Sequence, residues 1–361
     1  MTEDTTKNED PAGGEAPAKT HGVLYLGMDL GTSRTSVSAS NGVRETVYSI
    51  VGYPKDVVAR KLLKADVLFG KDALEKRLSL KLFKPLEKGV LRYSDGDETA
   101  RREVEKAAQD LIREAIRLAR PRGDELVYAV IGAPAQASIN NKEAIIEAAR
   151  ASVDSVMLCS EPFAVAYGLD MLEDALVIDI GAGTTDLCRM HGTMPDETDQ
   201  VTIPVAGDAV DAKLAELIES TCPGAQFTVQ MVKEIKERYS YLGDPPERVK
   251  VTLPVNGKPT EFDITQQIKD ACSVLVDPIV EGLRSLVASF DPEFQHKLRN
   301  RVVLAGGGSM IRGLDTAIEE TMKTEMGGGK VIRVEEPIYG GANGALKIAH
   351  DMPEEYWEQL K

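Results

Sequence analysis

Residues 175–187 read ALVIDIGAGTTDL, and the rest of the chain is arranged around this stretch. It opens with an apolar run, interrupted only by Asp179, that is too short for a helix and typical of a buried strand. Gly181 and Gly183 then allow the backbone to turn tightly and to approach a ligand closely. Two threonines and Asp186 follow. A strand, an acid and a Gly/Thr turn in this order predict a loop that binds phosphate through N–H and O–H groups. A buried strand that merely ends in a glycine turn is the alternative.

A second copy of the pattern stands near the start of the chain. Residues 24–37 read LYLGMDLGTSRTSV, and placing Asp29 on Asp179 also places Gly31 on Gly181. Apolar residues flank both acids, and both turns carry small hydroxylated residues. Each acid is of the type that holds Mg²⁺ through its water shell. Two such loops in one chain predict two like domains that face each other across one nucleotide.

Glu161 stands at a predicted strand-to-helix corner, directly after a strand predicted over residues 155–158. In α/β sheets, ligands bind beyond the carboxyl ends of the strands, which is also where Asp29 and Asp179 are expected. A carboxylate at this edge can polarise a water that attacks a γ-phosphate. The alternative, an acid favoured in the first helical turn by the macrodipole, stays open at this point.

The composition is that of a soluble protein of about two domains. The chain has 361 residues, of which 42% are hydrophobic and 28% charged, and a net charge of −15. This acidity argues against binding to nucleic acid, and the lack of an apolar run of about 18 residues argues against membrane insertion. Residues 1–21 are acidic, contain Pro and Gly, and are expected to be a disordered tail. The four scattered cysteines are predicted to be buried, reduced thiols of a cytoplasmic protein.

Two segments read as smaller insertions in the larger domains. Residues 51–98 are Lys-rich, with short apolar pieces broken by Pro and Gly. Residues 216–270 contain a Lys/Glu-rich helix and then two strand-like runs around Asn256-Gly257, a strong hairpin signal. Between the insertions, residues 99–120 predict an amphipathic helix. Near the end of the chain, Trp357 is predicted to pack the C-terminus back on the body.

Five stretches, in this order, resemble motifs of the actin-like ATPase superfamily, which includes bacterial shape-determining actins and the nucleotide-binding domain of Hsp70. They are GMDLGTSRTSV (27–37, first phosphate motif), SEPFAVAYG (160–168, first connecting helix), VIDIGAGTTDL (177–187, second phosphate motif), VVLAGGGSMIRGL (302–314, adenosine motif) and YGGANGALKIA (339–349, second connecting helix). The length, the insertions and the acidic tail most resemble the magnetosome-associated filament actins. This resemblance spans residues 23–349.

The resemblance implies an α/β fold of two actin-like (ribonuclease H-like) domains around a nucleotide cleft, each with a smaller inserted subdomain. The implied division is subdomain IA over 22–50 and 99–174, IB over 51–98, IIA over 175–215 and 271–350, IIB over 216–270, and a C-terminal tail over 351–361.

The resemblance also implies roles for individual residues. Asp29 and Asp179 would bind Mg²⁺ through water, and Glu161 would activate the hydrolytic water. The implied contacts with ATP or ADP are Gly31, Thr32, Ser33, Gly181, Gly183, Thr184, Thr185, Asp186, Gly207, Asp208, Lys236, Glu237, Gly306, Gly307, Gly308 and Ser309. Of these, Lys236, Glu237 and Gly306 to Ser309 would frame the adenosine, and Lys236-Glu237 resembles the actin pair that touches the base and the ribose. Arg34 departs from the pattern, because many relatives have Asn or Lys there, and its contact with phosphate is left open.

The functional expectation is a cytoplasmic ATPase that polymerises with Mg-ATP into a cytoskeletal filament and that positions magnetosomes through a membrane adaptor protein. Hydrolysis of ATP would drive filament turnover. A small-molecule kinase of the same fold is one alternative, for which Asp208 is the only unplaced acid. A chaperone-like ATPase is another.

Overall fold

The computed structural model describes residues 22–92, 98–245 and 247–360, so the predicted tail at 1–21 lies outside the described residues. The strands are β1 (Gly22–Leu30), β2 (Arg34–Ala39), β3 (Arg44–Tyr48), β4 (Val51–Pro54), β5 (Leu68–Phe69), β6 (Leu80–Phe83), β7 (Leu86–Glu87), β8 (Val90–Leu91), β9 (Glu125–Ala133), β10 (Ser155–Ser160), β11 (Ala175–Ile180), β12 (Thr185–Met190), β13 (Gln200–Ile203), β14 (Lys250–Val255), β15 (Lys258–Asp263), β16 (Val302–Ala305) and β17 (Val331–Arg333).

The helices connect and cover these strands. They are α1 (Val57–Leu63), α2 (Gly70–Glu75), α3 (Glu98–Leu118), α4 (Ile139–Arg150), α5 (Glu161–Gly168), α6 (Gly207–Thr221), α7 (Val229–Tyr239), α8 (Thr265–Ser273), α9 (Val276–Ala288), α10 (Pro292–Arg299), α11 (Leu314–Met326), α12 (Gly340–Asp351) and α13 (Glu354–Gln359). In the described ranges, no helix is both long and apolar enough to cross a membrane.

Two five-stranded sheets follow one plan, as the repeated motif predicts. Their strand orders are β10-β9-β1-β2-β3 and β17-β16-β11-β12-β13. In each sheet the central strand pairs parallel with one neighbour and antiparallel with the strand that follows its turn. The register is also the same, since Asp29 lies opposite Ser36 and Asp179 lies opposite Asp186. The prediction of two like domains is therefore confirmed.

The two connecting helices, α5 and α12, lie between the sheets. Apolar residues of both helices share one core with β9, β11, β12 and β16. Two further cores cover the outer faces, one under α3 and α4 and the other under α6, α8, α9 and α11. The helices cross closely at Gly344, where an added Cβ would lie 1.7 Å from the carbonyl oxygen of Ala164. The layers are thus helices, sheet, two crossing helices, sheet and helices.

The smaller elements lie where the insertions are predicted. β5, β4 and β6 form a three-stranded sheet, and β14 and β15 form a hairpin that turns at Asn256 and Gly257, both with positive φ. The division into four subdomains with the stated boundaries remains a proposal. Trp357 is fully buried and stacks on Tyr128 at 5.1 Å between ring centroids, so the chain end packs on the body as predicted.

The cysteines differ from the prediction in one case. All four thiols are free, and three are buried, whereas Cys159 is only half-buried. Cys159 lies on β10, an outer strand of the first sheet, and this position leaves it partly open. The C-terminal segment also holds more structure than a tail, because α13 follows α12 after a short break.

Candidate nucleotide site

A cleft opens between the two sheets where β1 and β11 end. Its lining residues come from both phosphate-type turns, from α7 and from the glycine-rich turn at residues 306–308, which follows β16. They are Asp29, Gly31, Thr32, Ser33, Arg34, Ser36, Gly89, Glu161, Asp179, Gly181, Ala182, Gly183, Thr184, Gly207, Lys233, Lys236, Glu237, Ser240, Gly306, Gly307, Gly308, Met310, Ile311, Pro337 and Ile338. These separate stretches, all predicted to contact a nucleotide, therefore converge on one cavity.

The two turns are held close together by a third element, the β7–β8 hairpin. The N–H of Gly89 in this hairpin donates to Oγ1 of Thr32, at 2.9 Å. A Cβ on Gly183 would lie 2.7 Å from both Lys88 Cα and Thr32 Oγ1. Only glycine fits at position 183 without a shift of backbone, so the second turn can approach the first.

The two aspartates predicted to hold Mg²⁺ each lie close to a glycine of another segment of the chain. Asp179 Oδ1 would be 2.2 Å from a Cβ on Gly306, and Asp29 Oδ2 would be 3.2 Å from a Cβ on Gly341. Gly306 also has a φ of +76°, which few other residues adopt. These glycines leave space for the carboxylates at the bottom of the cleft.

The bottom of the cleft is strongly acidic. Burial raises the pKa of Asp29 to about 6. Burial, then the charges of Asp29 and Asp186, raises the pKa of Asp179 well above its ordinary value. Burial, then Asp29, Asp186 and Asp179, does the same for the pKa of Glu161. Carboxylates that repel one another in a desolvated site favour a cation, which would lower all of these pKa values.

Asp29 and Asp179 both line the cleft, and their carboxylates suit a cation held through water. Within the described ranges, no three acidic, histidine or cysteine side chains converge closely enough to ligate a metal ion. Asp29 and Asp179 belong to different domains, so a hydrated ion between them would contact both. Mg²⁺ commonly keeps several waters and uses one or two carboxylates together with phosphate oxygens. The residues present therefore fit the predicted magnesium site.

Glu161 is the first residue of α5, directly after β10, and it lines the cleft beside the acids. Gly132 of the neighbouring strand β9 lies next to it, since a Cβ there would be 3.3 Å from Glu161 Cγ. Glu161 lies near the carboxylates of Asp29, Asp179 and Asp186. An acid that only stabilises the first turn of a helix would not need such neighbours. This placement favours the catalytic hypothesis.

The side of the cleft predicted to hold adenosine is formed by α7 and α6. Lys236 Nζ donates to the carbonyl of Gly207 at 2.8 Å and pairs with Asp211 at 2.8 Å. The helix α6 begins at Gly207, and the N–H groups of Gly207 and Asp208 donate to carbonyls of the second phosphate turn. Lys236 thus ties α7 to the start of α6.

Arg34, which departs from the family pattern, has partners of its own. Its guanidinium pairs with Glu237 at 2.8 Å and lies over the ring of Tyr48, 4.9 Å from the centroid. The pair crosses the cleft from the first turn to α7. In this structure Arg34 therefore contacts the residue predicted to bind ribose.

Four of the predicted contacts do not line the cleft: Thr185, Asp186, Asp208 and Ser309. The hydroxyl of Thr185 donates to the carbonyl of Val205, and that of Ser309 to the carbonyl of Gly306. Both side chains are buried and support the turns from behind. Asp186 lies behind the second turn, and Asp208 lies in the first turn of α6.

Several lining residues have no counterpart among the predicted contacts. Lys233 is one turn before Lys236, and helical spacing places both on one face of α7. Lys233 donates to the Ser33 hydroxyl across the cleft, and burial lowers the pKa of Lys233. Gly89 and Pro337 come from loops whose path depends on tertiary packing. Helical periodicity could have found Lys233, whereas no local signal marks Gly89 or Pro337.

Two like sheets around crossing helices, with this order of turns at the cleft, define an actin-type nucleotide-binding protein. The model of the MreB/Mbl protein family matches residues 24–355, and the chain belongs to this family.

Within this range of proteins, the chain is similar to individual proteins that are named MamK. The chain is 40% identical to actin-like protein MamK of Paramagnetospirillum magneticum, over 96% of this chain and 97% of that protein. The solved structure of a MamK double helical filament matches with a TM-score of 0.86 at 39% identity, covering 91% of this chain and 99% of that one. A non-polymerising MamK mutant bound to AMPPNP matches with a TM-score of 0.69 at 39% identity, covering 92% and 100%.

Proposed function

We propose that this protein binds ATP with Mg²⁺ in the interdomain cleft, polymerises into a filament in that state, and hydrolyses ATP to allow disassembly. The observation that carries the proposal is the pair of turns that face each other with Asp29 and Asp179 at the same register. Each turn offers backbone N–H and hydroxyl groups to phosphate. The binding of AMPPNP by a similar protein supports ATP as the ligand.

Different residues of the cleft have different roles in the proposed hydrolysis. Thr32, Ser33, Gly183 and Thr184 hold the phosphates from two sides, and a bound Mg²⁺ would neutralise charge on them. Glu161 accepts a proton from, or orients, the attacking water. A lowered Glu161 pKa is required for this role, and cations near the acidic group favour the charged form of its carboxyl. Lys236 and Glu237 hold the adenosine.

Filament formation rests on the similarity to MamK, for which filament structures are known. A cytoskeletal filament in the cytoplasm is the corresponding location, and a magnetosome adaptor the corresponding partner. The net charge of −15 agrees with attachment through another protein.

Sedimentation with light scattering, in Mg-ATP, in Mg-ADP and without nucleotide, tests assembly. We expect pelleting with Mg-ATP, followed by decay of scattering as phosphate is released. A chain that hydrolyses ATP but stays monomeric would contradict the filament and favour the kinase-like or chaperone-like alternative.

Titration of Mg-ATP into Asp179→Ala tests the metal role. We expect affinity to fall by about 10-fold or more, as is typical when groups around a metal are removed. The loss should vanish when Mg²⁺ is removed with EDTA, because both proteins then bind ATP without metal. Equal affinities in Mg²⁺ would exclude Asp179 from the metal site.

A further inference from the structure

Beyond the cleft, the two domains also meet where the loop of residues 134–137 touches strand β13. The Gln136 side chain donates from Nε2 to the carbonyl of Gln200 at 3.1 Å, and its Oε1 accepts from the N–H of Thr202 at 3.3 Å. Strand β13 is at the edge of the second sheet, so these two groups face away from β12. The amide of Gln136 therefore pairs with the open edge as a neighbouring strand would.

Thr202 continues this contact toward the cleft. Its hydroxyl accepts from the N–H of Gln136 at 3.3 Å and donates to Asp186 Oδ1 at 2.5 Å. The same carboxylate oxygen accepts from the N–H of Ala135 at 3.1 Å. Ala135 and Gln136 belong to the first domain, and Asp186, Gln200 and Thr202 belong to the second. Four hydrogen bonds therefore join the domains behind the second phosphate turn, and we call this set of bonds the lock.

Asp186 links this lock to the reacting groups. It lies opposite Asp179 in the β11–β12 pairing, two residues after Thr184 of the phosphate turn. It is buried, with 1% of its surface exposed, and it lies close enough to Glu161 to raise the pKa of that group by its charge. The carboxylate is thus fixed between Glu161, which the first domain supplies, and the phosphate turn, which the second domain supplies.

We infer that Gln136 and Thr202 are positioning residues for hydrolysis: through Asp186 they hold the two domains so that Glu161 faces the phosphate turn of the other domain. The inference rests on the proposed hydrolysis of ATP. Neither residue lines the cleft, so neither is needed for ATP to bind. A misplacement of about 1 Å between reacting groups can cost about 100-fold in rate. Loss of the lock should therefore lower kcat and leave KM for ATP almost unchanged.

Thr202→Val and Thr202→Ser form a matched pair that tests this inference. Valine has the shape of threonine without the hydroxyl, and serine keeps the hydroxyl. We expect Thr202→Val to lower kcat about 10-fold, with KM for ATP within about twofold of wild type, and Thr202→Ser to restore most of kcat. The rates are compared at equal polymer mass. An unchanged kcat in Thr202→Val, an equal loss in both variants, or a raised KM with unchanged kcat would overturn the inference.

Gln136→Ala offers a second variant that should fold normally, because Gln136 is exposed. We expect a loss of kcat of about threefold or more, since the substitution removes the two side-chain hydrogen bonds of Gln136 that cross the domains. The control is Gln266→Ala, another exposed glutamine, whose amide donates to Asp270 within its own helix. A loss as large in Gln266→Ala would overturn the assignment.

Hydrogen exchange separates this inference from the proposed function. With Mg-ATP bound, we expect the amides of residues 135–137 and of the start of α5 to exchange faster in Thr202→Val than in wild type and Thr202→Ser. If the wild type does not hydrolyse ATP, the proposed function fails, and this measurement still reports the lock. Equal exchange in wild type and Thr202→Val would show that the hydroxyl does not hold the domains.

Discussion

The two sheets share strand order and register, and they differ in what the second strand of each carries. In the first sheet, β2 places Ser36 opposite Asp29, whereas in the second sheet β12 places Asp186 opposite Asp179. Ser36 donates to the carbonyl of Ile338 near α12, while Asp186 bonds to the other domain. The shared plan supplies a matched pair of acids, Asp29 and Asp179, which we propose to hold Mg²⁺. The difference supplies an extra charge near Glu161 on one side only.

The next difference concerns stability and predicts the largest effect. Three residues before Asp29 and Asp179, Leu26 lies opposite Ala39 in the first sheet and Leu176 lies opposite Arg189 in the second. Arg189 is buried and pairs with buried Asp199 at 2.6 Å. Burial alone would raise the pKa of Asp199. The carboxylate accepts hydrogen bonds from the Asp196 N–H, His191 and Arg189, and these bonds hold its pKa below the ordinary value.

Asp199→Ala should lower the free energy of unfolding by about 3–5 kcal/mol, because it leaves Arg189 buried without its partner. A depressed carboxylate pKa stabilises the fold above the unfolded pKa of about 4, and this contribution is lost as the pH falls below it. Urea unfolding at neutral and acidic pH measures both effects. The control is Glu216→Ala, which breaks an exposed pair with Lys213 and should cost about 1 kcal/mol or less. An equal loss in both variants would contradict the role of the buried pair.

Glu161 tests whether the acid cluster is catalytic or only structural. Glu161→Ala should slow ATP hydrolysis by roughly 100-fold or more, with nucleotide binding and assembly kept, because the attacking water loses its oriented acceptor. Phosphate release and pelleting are measured on the same samples. Asp208→Ala is the control, since Asp208 lies in the first turn of α6 and does not line the cleft. Wild-type turnover in Glu161→Ala would remove Glu161 from the mechanism, and a large loss in Asp208→Ala would favour the kinase alternative.

The motif-bearing parts of this architecture could be predicted from sequence, and the cross-domain contacts could not. A repeated strand-acid-turn pattern predicts two like sheets, because strand, glycine turn and carboxylate are all local signals. The position of Glu161 in the cleft could be predicted because Glu161 stands at a strand-to-helix corner, where α/β sheets place ligands. The contacts of Gln136 with β13 and of Arg34 with α7 join residues far apart in the chain. No periodicity marks such pairs, since they depend on how two folded domains meet.

Gly27 marks another difference between the halves. It lies opposite Ser38, at the position that Val177 has in the second sheet opposite Cys188. A Cβ on Gly27 would be 2.0 Å from the carbonyl oxygen of Ala342 and 2.1 Å from the N of Leu346. Helix α12 therefore rests directly on the backbone of β1, while β11 keeps a side chain at the equivalent place.

Gly27→Ala should lower the free energy of unfolding by roughly 1–3 kcal/mol, because the backbone of α12 has to shift to accept the methyl group. Thermal or urea unfolding measures the change. Gly22→Ala in the same strand is the control, since a Cβ there would meet only Glu125 Cγ, at 3.6 Å, an ordinary contact. If both substitutions cost the same, strand propensity rather than the close approach of α12 would explain the loss.

The smallest effect is expected for a substitution of Arg34, at the mouth of the cleft, where the two turns differ. Thr184 of the second turn holds the position that Arg34 holds in the first turn. Of these two residues, Arg34 is the one that reaches across the cleft to α7. The side chains of Arg34 and Glu237 are 29% and 33% exposed, so solvent screens the pair and its contribution is about 1 kcal/mol or less. Arg34→Ala should therefore change Mg-ATP affinity by about fivefold or less.

The direction of that change shows what Arg34 does when nucleotide is bound. If Arg34 only occupies Glu237, its removal frees the residue predicted to hold ribose, and calorimetric titration should show tighter binding of both Mg-ATP and Mg-ADP. If Arg34 instead turns to phosphate, Mg-ATP should bind more weakly while Mg-ADP changes less. Arg34→Lys discriminates further, because lysine keeps the charge and loses the planar fork that pairs with carboxylate or phosphate. The contacts with Glu237 and Tyr48 favour the first outcome, since they hold the guanidinium on the α7 side of the cleft.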